Sequence, residues 1–324
     1  MKIKKKLISI YLARNVDRIK NIKKINRQEF TKNTKYYVIC SQKKRGFFSL
    51  LLFVLNHIKY AKKKKLIPVI DMKYHPTLYN EEKVLFGTKN SWEYYFNKIN
   101  KVNINNVYKS KNYIFCEEKN IFTKNNKFHY SLKKIFTENI KINNNILKKY
   151  LYYKNKIFNK KDQFLGIHFR GTDMKYSTHH PLPLTRKQVD KKVKYLMSKY
   201  NLNKIFLVTE DTGNFNFFIN NFKDYKILYI DNFRTSKTLA FDEDYRKNHK
   251  YKMGEEALIN SLLLSNCNVL ISTQTGITDF AHFINPSLKF LKINNGNNSK
   301  RIFFSLFKYH VKDFLPQALG GFKV

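Results

Sequence analysis

Phe164-Leu165-Gly166-Ile167-His168-Phe169-Arg170-Gly171-Thr172-Asp173 is an apolar run with two basic side chains at alternate positions, ending in a Gly-Thr-Asp turn. The pattern reads as a buried β-strand that delivers His168 and Arg170 to its carboxyl end. In an open α/β sheet, ligands bind beyond that end. Period-two alternation puts His168, Arg170 and Thr172 on one face, where an imidazole, a guanidinium fork and a hydroxyl can meet one anionic group. A cation inside a strand is costly unless it is partnered. A nearby carboxylate would satisfy Arg170, but the fork suits a phosphate better.

Downstream of this strand, apolar runs and helical spacing alternate. The loop Asp173 to Pro183 carries His179, His180, Pro181 and Pro183, and a helix opens at Thr185 with Val189, Val193, Leu196 and Met197 on one face. Lys204 to Thr209 reads as a strand ending at Glu210-Asp211. A helix over Phe215 to Phe222 leads to a strand from Tyr225 to Ile230, ending at Asp231. Residues 232–253 are polar and include Arg234, Asp242, Glu243, Asp244 and Arg246. The spacing predicts a helix from Gly254 to Ser265, with Glu255 and Glu256 in its first turn where the macrodipole favours acids. Asn268 to Ser272 is the next strand, and Thr273-Gln274-Thr275-Gly276 opens a helix that runs through Phe283. Small hydroxyl residues and a glycine between strand and helix expose backbone N–H groups, which seat a diphosphate or simply form an N-cap.

Upstream, Tyr36 to Cys40 reads as a strand, Phe47 to Ile58 as a buried helix, and Leu66 to Met72 as a second strand with Asp71 at its carboxyl end. This is a parallel βαβ unit that should cross over right-handed. Trp92, the single tryptophan, stands beside Tyr94, Tyr95 and Phe96 as a small core or a wall for a sugar ring, and composition favours the core. A strand near Tyr113 to Cys116 and a helix near Ile140 to Tyr153 follow. The charged stretch Lys154 to Asp162 marks a domain boundary, giving domains 1–160 and 161–324.

At 324 residues the chain has room for two α/β domains, and 43% hydrophobic residues exclude a wholly disordered chain. The formal charge of +40 comes from lysines spread throughout the sequence. Its expected physical consequence is attraction to anionic lipid head groups. Nucleic acid is disfavoured as a partner, because the aromatics do not interleave with basic residues on a stacking platform. Cys40, Cys116 and Cys267 are far apart, lie in no CxxC pair and have no histidine at ligand spacing, so they read as reduced thiols and no metal site is indicated. The apolar part of Met1 to Leu12 is too short for a signal peptide. The run from Gly46 to Leu55 is about half the ~20 residues a bilayer needs. A cytoplasmic protein is expected, soluble or peripheral at the inner face of the membrane.

Four strand ends in the second half therefore carry polar groups: His168 with Arg170, Glu210 with Asp211, Asp231, and Ser272 to Gly276. Along one rim they suit a nucleotide diphosphate, with cations and N–H groups for phosphate and carboxylates for base or ribose. No GxGxxG, Walker A or kinase sequence is present, which argues against dinucleotide enzymes, P-loop NTPases and kinases.

Together, Gly166-Ile167-His168-Phe169-Arg170-Gly171-Thr172-Asp173, the following His-Pro, Val208-Thr209-Glu210-Asp211, and Gly254-Glu255-Glu256-Ala257-Leu258 through Ser272-Thr273 resemble the GDP-fucose-dependent fucosyltransferase superfamily. The likeness is to its NodZ-like and α1,6 branch, and is fullest from Phe164 to Phe283. Pro68 to Met72 and Trp92 to Phe96 resemble the acceptor-side domain of that family.

The resemblance implies an α/β, GT-B-like fold of two Rossmann-like domains facing a cleft, with the amino-terminal domain on the acceptor side and the carboxyl-terminal one binding the GDP-sugar. It implies metal-independent transfer with inversion and no cofactor, from GDP-fucose or another GDP-sugar such as GDP-heptose, to a glycan acceptor on the bacterial surface or its lipid-linked precursor. Arg170 would hold the donor diphosphate, with His168, Gly171 and Thr172 shaping the same pocket. Asp173 would lie near the guanosine or sugar, Glu210 and Asp211 would face the nucleotide, and Thr273, Gln274, Thr275 and Gly276 would form the phosphate-contacting turn. The glutamate base of the α1,6 branch falls on Thr178, so the base is sought in His179, His180 or Asp71. The branch's lysine falls on Met174, with Lys175 one place on. The competing class is a non-enzymatic basic protein that binds nucleic acid or anionic membrane.

Overall fold

The computed structural model describes residues 34–119, 121, 128–159, 161–236 and 245–323. Met1 to Leu12 and the acids Asp242, Glu243 and Asp244 lie outside them. Among the described residues, 34–143 and 245–254 form one compact unit, and 144–236 with 255–323 form another. The division expected after residue 160 thus comes later in the chain than the one the packing makes.

The first unit grows from the strand-helix-strand signal. β1 (Tyr36–Ile39), α1 (Phe47–Lys63) and β2 (Ile67–Ile70) are followed by the short helices α2 (Trp92–Tyr95) and α3 (Ile104–Ser110), then β3 (Tyr113–Phe115) and α4 (Lys133–Asn139). All three strands pair in parallel in the order β2-β1-β3. Every residue of α1 from Leu50 to Ile58 is buried, which explains its lack of polar alternation. Its two buried polar side chains are satisfied, Asn56 on the Leu52 carbonyl and His57 against the Tyr37 hydroxyl and the Lys119 carbonyl. Burial pushes the His57 imidazole down to about 4, so it stays neutral.

Trp92 is buried, its ring 4.5 Å from Phe96 and its indole N–H on the Asn97 carbonyl. It is core, as composition favoured. Beside it lies a cavity of about 430 Å³ lined in part by Ile70, Lys73, Asn90, Lys98 and Asn100. The amide N–H groups of Asn90 and Asn100 already donate to the Ile70 and Pro68 carbonyls. Residues 245–254 belong to this unit because Tyr251 stacks on Tyr95, accepts its hydroxyl at its carbonyl, and donates its N–H to the Glu81 carboxylate at 2.7 Å.

The second unit runs α5 (Asn144–Ile157), β4 (Phe164–His168), α6 (Arg186–Lys199), β5 (Lys204–Val208), α7 (Thr212–Asn221), β6 (Lys226–Leu228), α8 (His249–Leu264), β7 (Val269–Ser272), α9 (Gly276–Ile284), β8 (Lys289–Lys292), α10 (Ile302–Ser305) and α11 (Lys308–Phe314). α8 enters the unit at Glu255. α5 is held here by Lys149 paired with Glu255 at 2.5 Å and by Asn266 donating to the Tyr150 hydroxyl. Five parallel strands pair in the order β6-β5-β4-β7-β8, the doubly wound arrangement of one Rossmann-like half.

β4 is central and buried along its whole length. Leu165 and Ile167 pack with Val189 and Val193 of α6 and with Phe218 of α7, while Gly166 turns toward Leu264 and Cys267 on the other face. α8 starts at His249 rather than Gly254, so Glu255 and Glu256 lie in mid-helix. β8, α10 and α11 had no clear sequence signal. β8 is a four-residue edge strand whose lysine ends are exposed, a composition that reads as loop. Among the described residues no helix is long and apolar enough to cross a membrane.

A Cβ on Gly166 would stand 2.9 Å from the Cys267 sulfur and 3.1 Å from Leu264. Gly166→Ala should therefore lower stability by about 1–3 kcal/mol, the usual cost of overpacking. Urea unfolding of Gly166→Ala, Cys267→Ala and the double variant should show the pair less destabilised than the sum of its parts, since removing the sulfur relieves the clash.

Candidate functional site

In the second unit the strand order reverses between β4, which continues to β5 on one side, and β7 on the other. Ligands of doubly wound sheets bind outside the carboxyl ends of the strands at such a reversal. The residues there are tied together across the two strands. Ser272 Oγ donates to the His168 carbonyl at 3.0 Å, and His168 Nδ1 lies 3.0 Å from Thr275 Oγ1. Thr275 in turn caps α9 in a reciprocal box with Thr278, leaving the first-turn N–H groups at Gly276 pointing outward. Burial, and then the adjacent Arg170, push the His168 imidazole down to about 3. His168 is therefore a neutral, buried group that fixes the start of α9.

Beyond β4 the pleat ends and the backbone turns sharply. Thr172 sits at φ +40°, a left-handed conformation that a β-branched residue adopts only under strain. The strain is held by two acids at the end of β5. Asp211 accepts the Thr172 N–H at 3.0 Å, and Glu210 accepts the Gly171 N–H at 3.1 Å and the Thr172 hydroxyl at 3.3 Å. Gly171 is required by this approach, since a Cβ there would stand 2.1 Å from an Asp211 oxygen. The sequence placed the Thr172 hydroxyl beside His168 and Arg170 by strand alternation. The turn instead directs it to Glu210, because the extended backbone stops at His168.

Arg170 is about one-third exposed and lies between two carboxylates, Nη2 at 3.4 Å from Asp173 and Nε at 3.6 Å from Glu210. Burial raises the Glu210 carboxyl above its usual value against the opposing pull of Arg170 and the Gly171 N–H. Burial also works to raise Asp211, but the N–H groups of Thr172 and Asn214 and the Lys175 ammonium outweigh it, and the carboxyl is held below its usual value. Asp211 also caps α7 through Asn214. Lys175 reaches Asp211 at 3.5 Å, with the Tyr309 ring beneath it at 5.6 Å. In the sequence it stands only as the neighbour of Met174, which is buried. The 3₁₀ turn Thr172–Lys175 carries the lysine amine back to the site.

The other sequence candidates divide. Thr273 is buried at the end of β7, and Gln274 donates to Asp279 and accepts from Lys292. His179 and His180 are exposed in the loop after the site, the first at φ +63° with its N–H on the Ser299 carbonyl, the second accepting Asn298 N–H at its own carbonyl. Asp231 does not join the rim, for β6 stops at Leu228 and the Asp231 side chain is fully exposed, 3.7 Å from Arg234. Asp71 belongs to the first unit. It is fully buried and accepts the Lys73 and Tyr74 N–H groups on one oxygen and the Tyr108 hydroxyl on the other. Among the described residues, no three His, Cys, Asp or Glu side chains gather as metal ligands would.

No family model and no curated protein matches the sequence. In fold the chain is similar to solved structures of the fucosyltransferase NodZ. A selenomethionine form from Bradyrhizobium has a TM-score of 0.54 at 15% identity, covering 80% of this chain and 95% of that one. NodZ α-1,6-fucosyltransferase soaked with GDP-fucose gives 0.52 at 14% identity over 78% and 93%. The form co-crystallised with GDP gives 0.50 at 15% over 81% and 96%. At these identities the likeness is one of fold, and it agrees with the α/β, GT-B architecture that the sequence resemblance implied.

Asp211→Asn keeps a good cap for α7 but sets an amide N–H₂ against the Thr172 N–H and Lys175. Leaving these donors unmatched should cost about 1–3 kcal/mol at pH 7. Because the folded-state value of Asp211 is depressed, its contribution is full above the ordinary carboxylate value and is lost as pH falls through the folded one. Urea unfolding at pH 7 and pH 3 (about one unit below the ordinary Asp value) should show the gap between wild type and variant shrinking in acid.

Proposed function

We propose that this chain is a glycosyltransferase that moves fucose from GDP-fucose, with inversion at the anomeric carbon, to a bacterial surface glycan or its lipid-linked precursor. The observation that carries the reading is the convergence of Arg170, Lys175 and the Thr275-capped start of α9 at the carboxyl edge of the second unit's sheet, next to three acids. The fold likeness to NodZ, co-crystallised with GDP and soaked with GDP-fucose, supports a GDP-sugar as the occupant.

Glycosyl transfer from a nucleotide sugar builds negative charge on the departing diphosphate. Fixed cations and N–H groups stabilise that charge when they are aimed at the leaving oxygens beforehand. Arg170 is suited to this, because its carboxylate partners at 3.4 and 3.6 Å are long ion pairs that a phosphate can displace with a bidentate contact. Lys175 adds a second positive charge, and the two cations with the N–H groups of α9 take the place of a metal ion. The neutral His168 acts by fixing Thr275, and with it the N–H groups of α9. Once Arg170 turns to phosphate, Glu210 and Asp173 become acceptors for hydroxyl or base N–H groups of the nucleotide.

The acceptor hydroxyl must lose a proton as the new bond forms. In this proposal His179 or His180 takes it, imidazole being a general base suited to neutral pH. Asp71 has one oxygen committed to the N–H groups of its own turn and the other to the Tyr108 hydroxyl, and its role is to hold that turn.

Incubating the purified protein with GDP-fucose and other GDP-sugars, with GDP release as readout, tests the reading. GDP-fucose should be consumed, and Arg170→Ala should lower kcat/KM by about 10²–10³, the effect of losing one charge-stabilising donor, with its circular dichroism unchanged. Full activity in that variant would remove Arg170 from the diphosphate site, and turnover of GDP-heptose alone would reassign the donor.

A further inference from the structure

The carboxyl-terminal helices α10 and α11 present large apolar side chains to solvent. Phe303, Phe304, Phe307 and Phe314 are 68, 55, 50 and 87% exposed, with Val311 at 50% and Leu319 at 68% beside them. So dense a patch is unusual on a soluble monomer and marks an interaction surface. It is not a frayed end, because the platform is fixed from beneath. Tyr309 is buried against Phe322 and Leu182 and donates its hydroxyl to the Leu184 carbonyl, while Asn298 donates to the Ser305 carbonyl. The chain is thus held in a conformation that keeps the phenylalanines outward.

We infer that this face docks on an anionic lipid bilayer. The argument is charge complementarity combined with aromatic exposure. From residue 300 to 314 the sequence carries Lys300, Arg301, Lys308 and Lys312 against one acid, Asp313, a net of 4 − 1 = +3, in a chain of formal charge +40. A protein-binding patch is depleted of lysine at its core. Phenylalanines at the head-group and acyl boundary, with basic side chains reaching to lipid phosphates, are the chemistry of an interfacial helix. The sequence-level attraction to anionic lipid therefore acquires a definite surface, which charge alone did not locate.

The platform that carries this face also adjoins the candidate site. His310 of α11 lies 3.2 Å from the Tyr176 hydroxyl, and Tyr309 lies under Lys175. Docking would bring the loop after Arg170 close to the head groups, where a lipid-linked acceptor would be found if the transferase reading holds. The docking itself does not depend on that reading, and vesicle binding is measured without donor or acceptor.

The full chain would be sedimented with vesicles of phosphatidylcholine alone and of phosphatidylcholine with phosphatidylglycerol. Binding is expected on the anionic vesicles, weakening with salt. A Phe303→Ser, Phe307→Ser, Phe314→Ser variant should bind at least about tenfold more weakly, given the free energy of inserting apolar area. These side chains are exposed, so its melting temperature should match wild type. Lys300→Glu with Arg301→Glu should weaken binding to anionic vesicles as well. Equal binding to both vesicle types, or undiminished binding of the triple serine variant, would overturn the proposal. So would a wild-type dimer, by light scattering, that the triple variant converts to monomer with vesicle binding unchanged, because the face would then belong to a second copy.

Discussion

The Asp211 carboxylate is the constraint on which the second unit's site depends. One oxygen caps α7 and the other accepts the N–H of Thr172, the residue forced into a left-handed turn after β4. Without that acceptor only the Glu210 contacts to Gly171 and Thr172 offset the strain, and the turn that carries Arg170, Asp173 and Lys175 is weakened. The glycine before it is fixed by the same contact, since no side chain fits between Gly171 and Asp211. A helix cap, a strained turn and the position of two cations thus share one acid.

The electrostatics of the site follow from burial. His168 is too well buried to carry charge and works as a hydrogen-bonding strut to Thr275. The charged groups are two cations, Arg170 and Lys175, among three acids, Asp173, Glu210 and Asp211, and all but Asp211 are partly exposed. Long, partly exposed pairs of this kind suit ligand exchange. Removing a partner from a buried pair is costly, whereas at a partly exposed pair an incoming phosphate can replace one carboxylate contact with another anion.

In the first unit the same kinds of residue serve folding. Asp71, His57 and Trp92 each have the chemistry of a functional group, and each is buried with its polar atoms satisfied. A carboxylate at a strand end is a ligand-site signal only when its oxygens face outward. Those of Asp71 face its own turn and the Tyr108 hydroxyl.

By itself the sequence determined every strand of the two sheets except β8, and most helices, because runs such as Phe164 to His168 and Leu50 to Ile58 are buried and their hydrophobic pattern is local. It also marked the acids Glu210 and Asp211 at the end of β5 and the Thr275 cap of α9, because strand ends and helix caps are marked by short-range chemistry. Only the tertiary structure decided which of those residues meet. Thr172 left the face of His168 because of a backbone turn set by Asp211, 39 residues away. Lys175 entered the site through a 3₁₀ turn, and Asp231 was left in solvent when β6 ended early. The polar stretch 245–254 joined the first unit through Tyr251 and Tyr95, 156 positions apart, and the outward phenylalanines of α10 and α11 became a surface only once Tyr309 and Ser305 were buried beneath them. Hydrophobic periodicity reports burial along one element, whereas the partners of a polar or aromatic side chain are set by contacts distant in sequence.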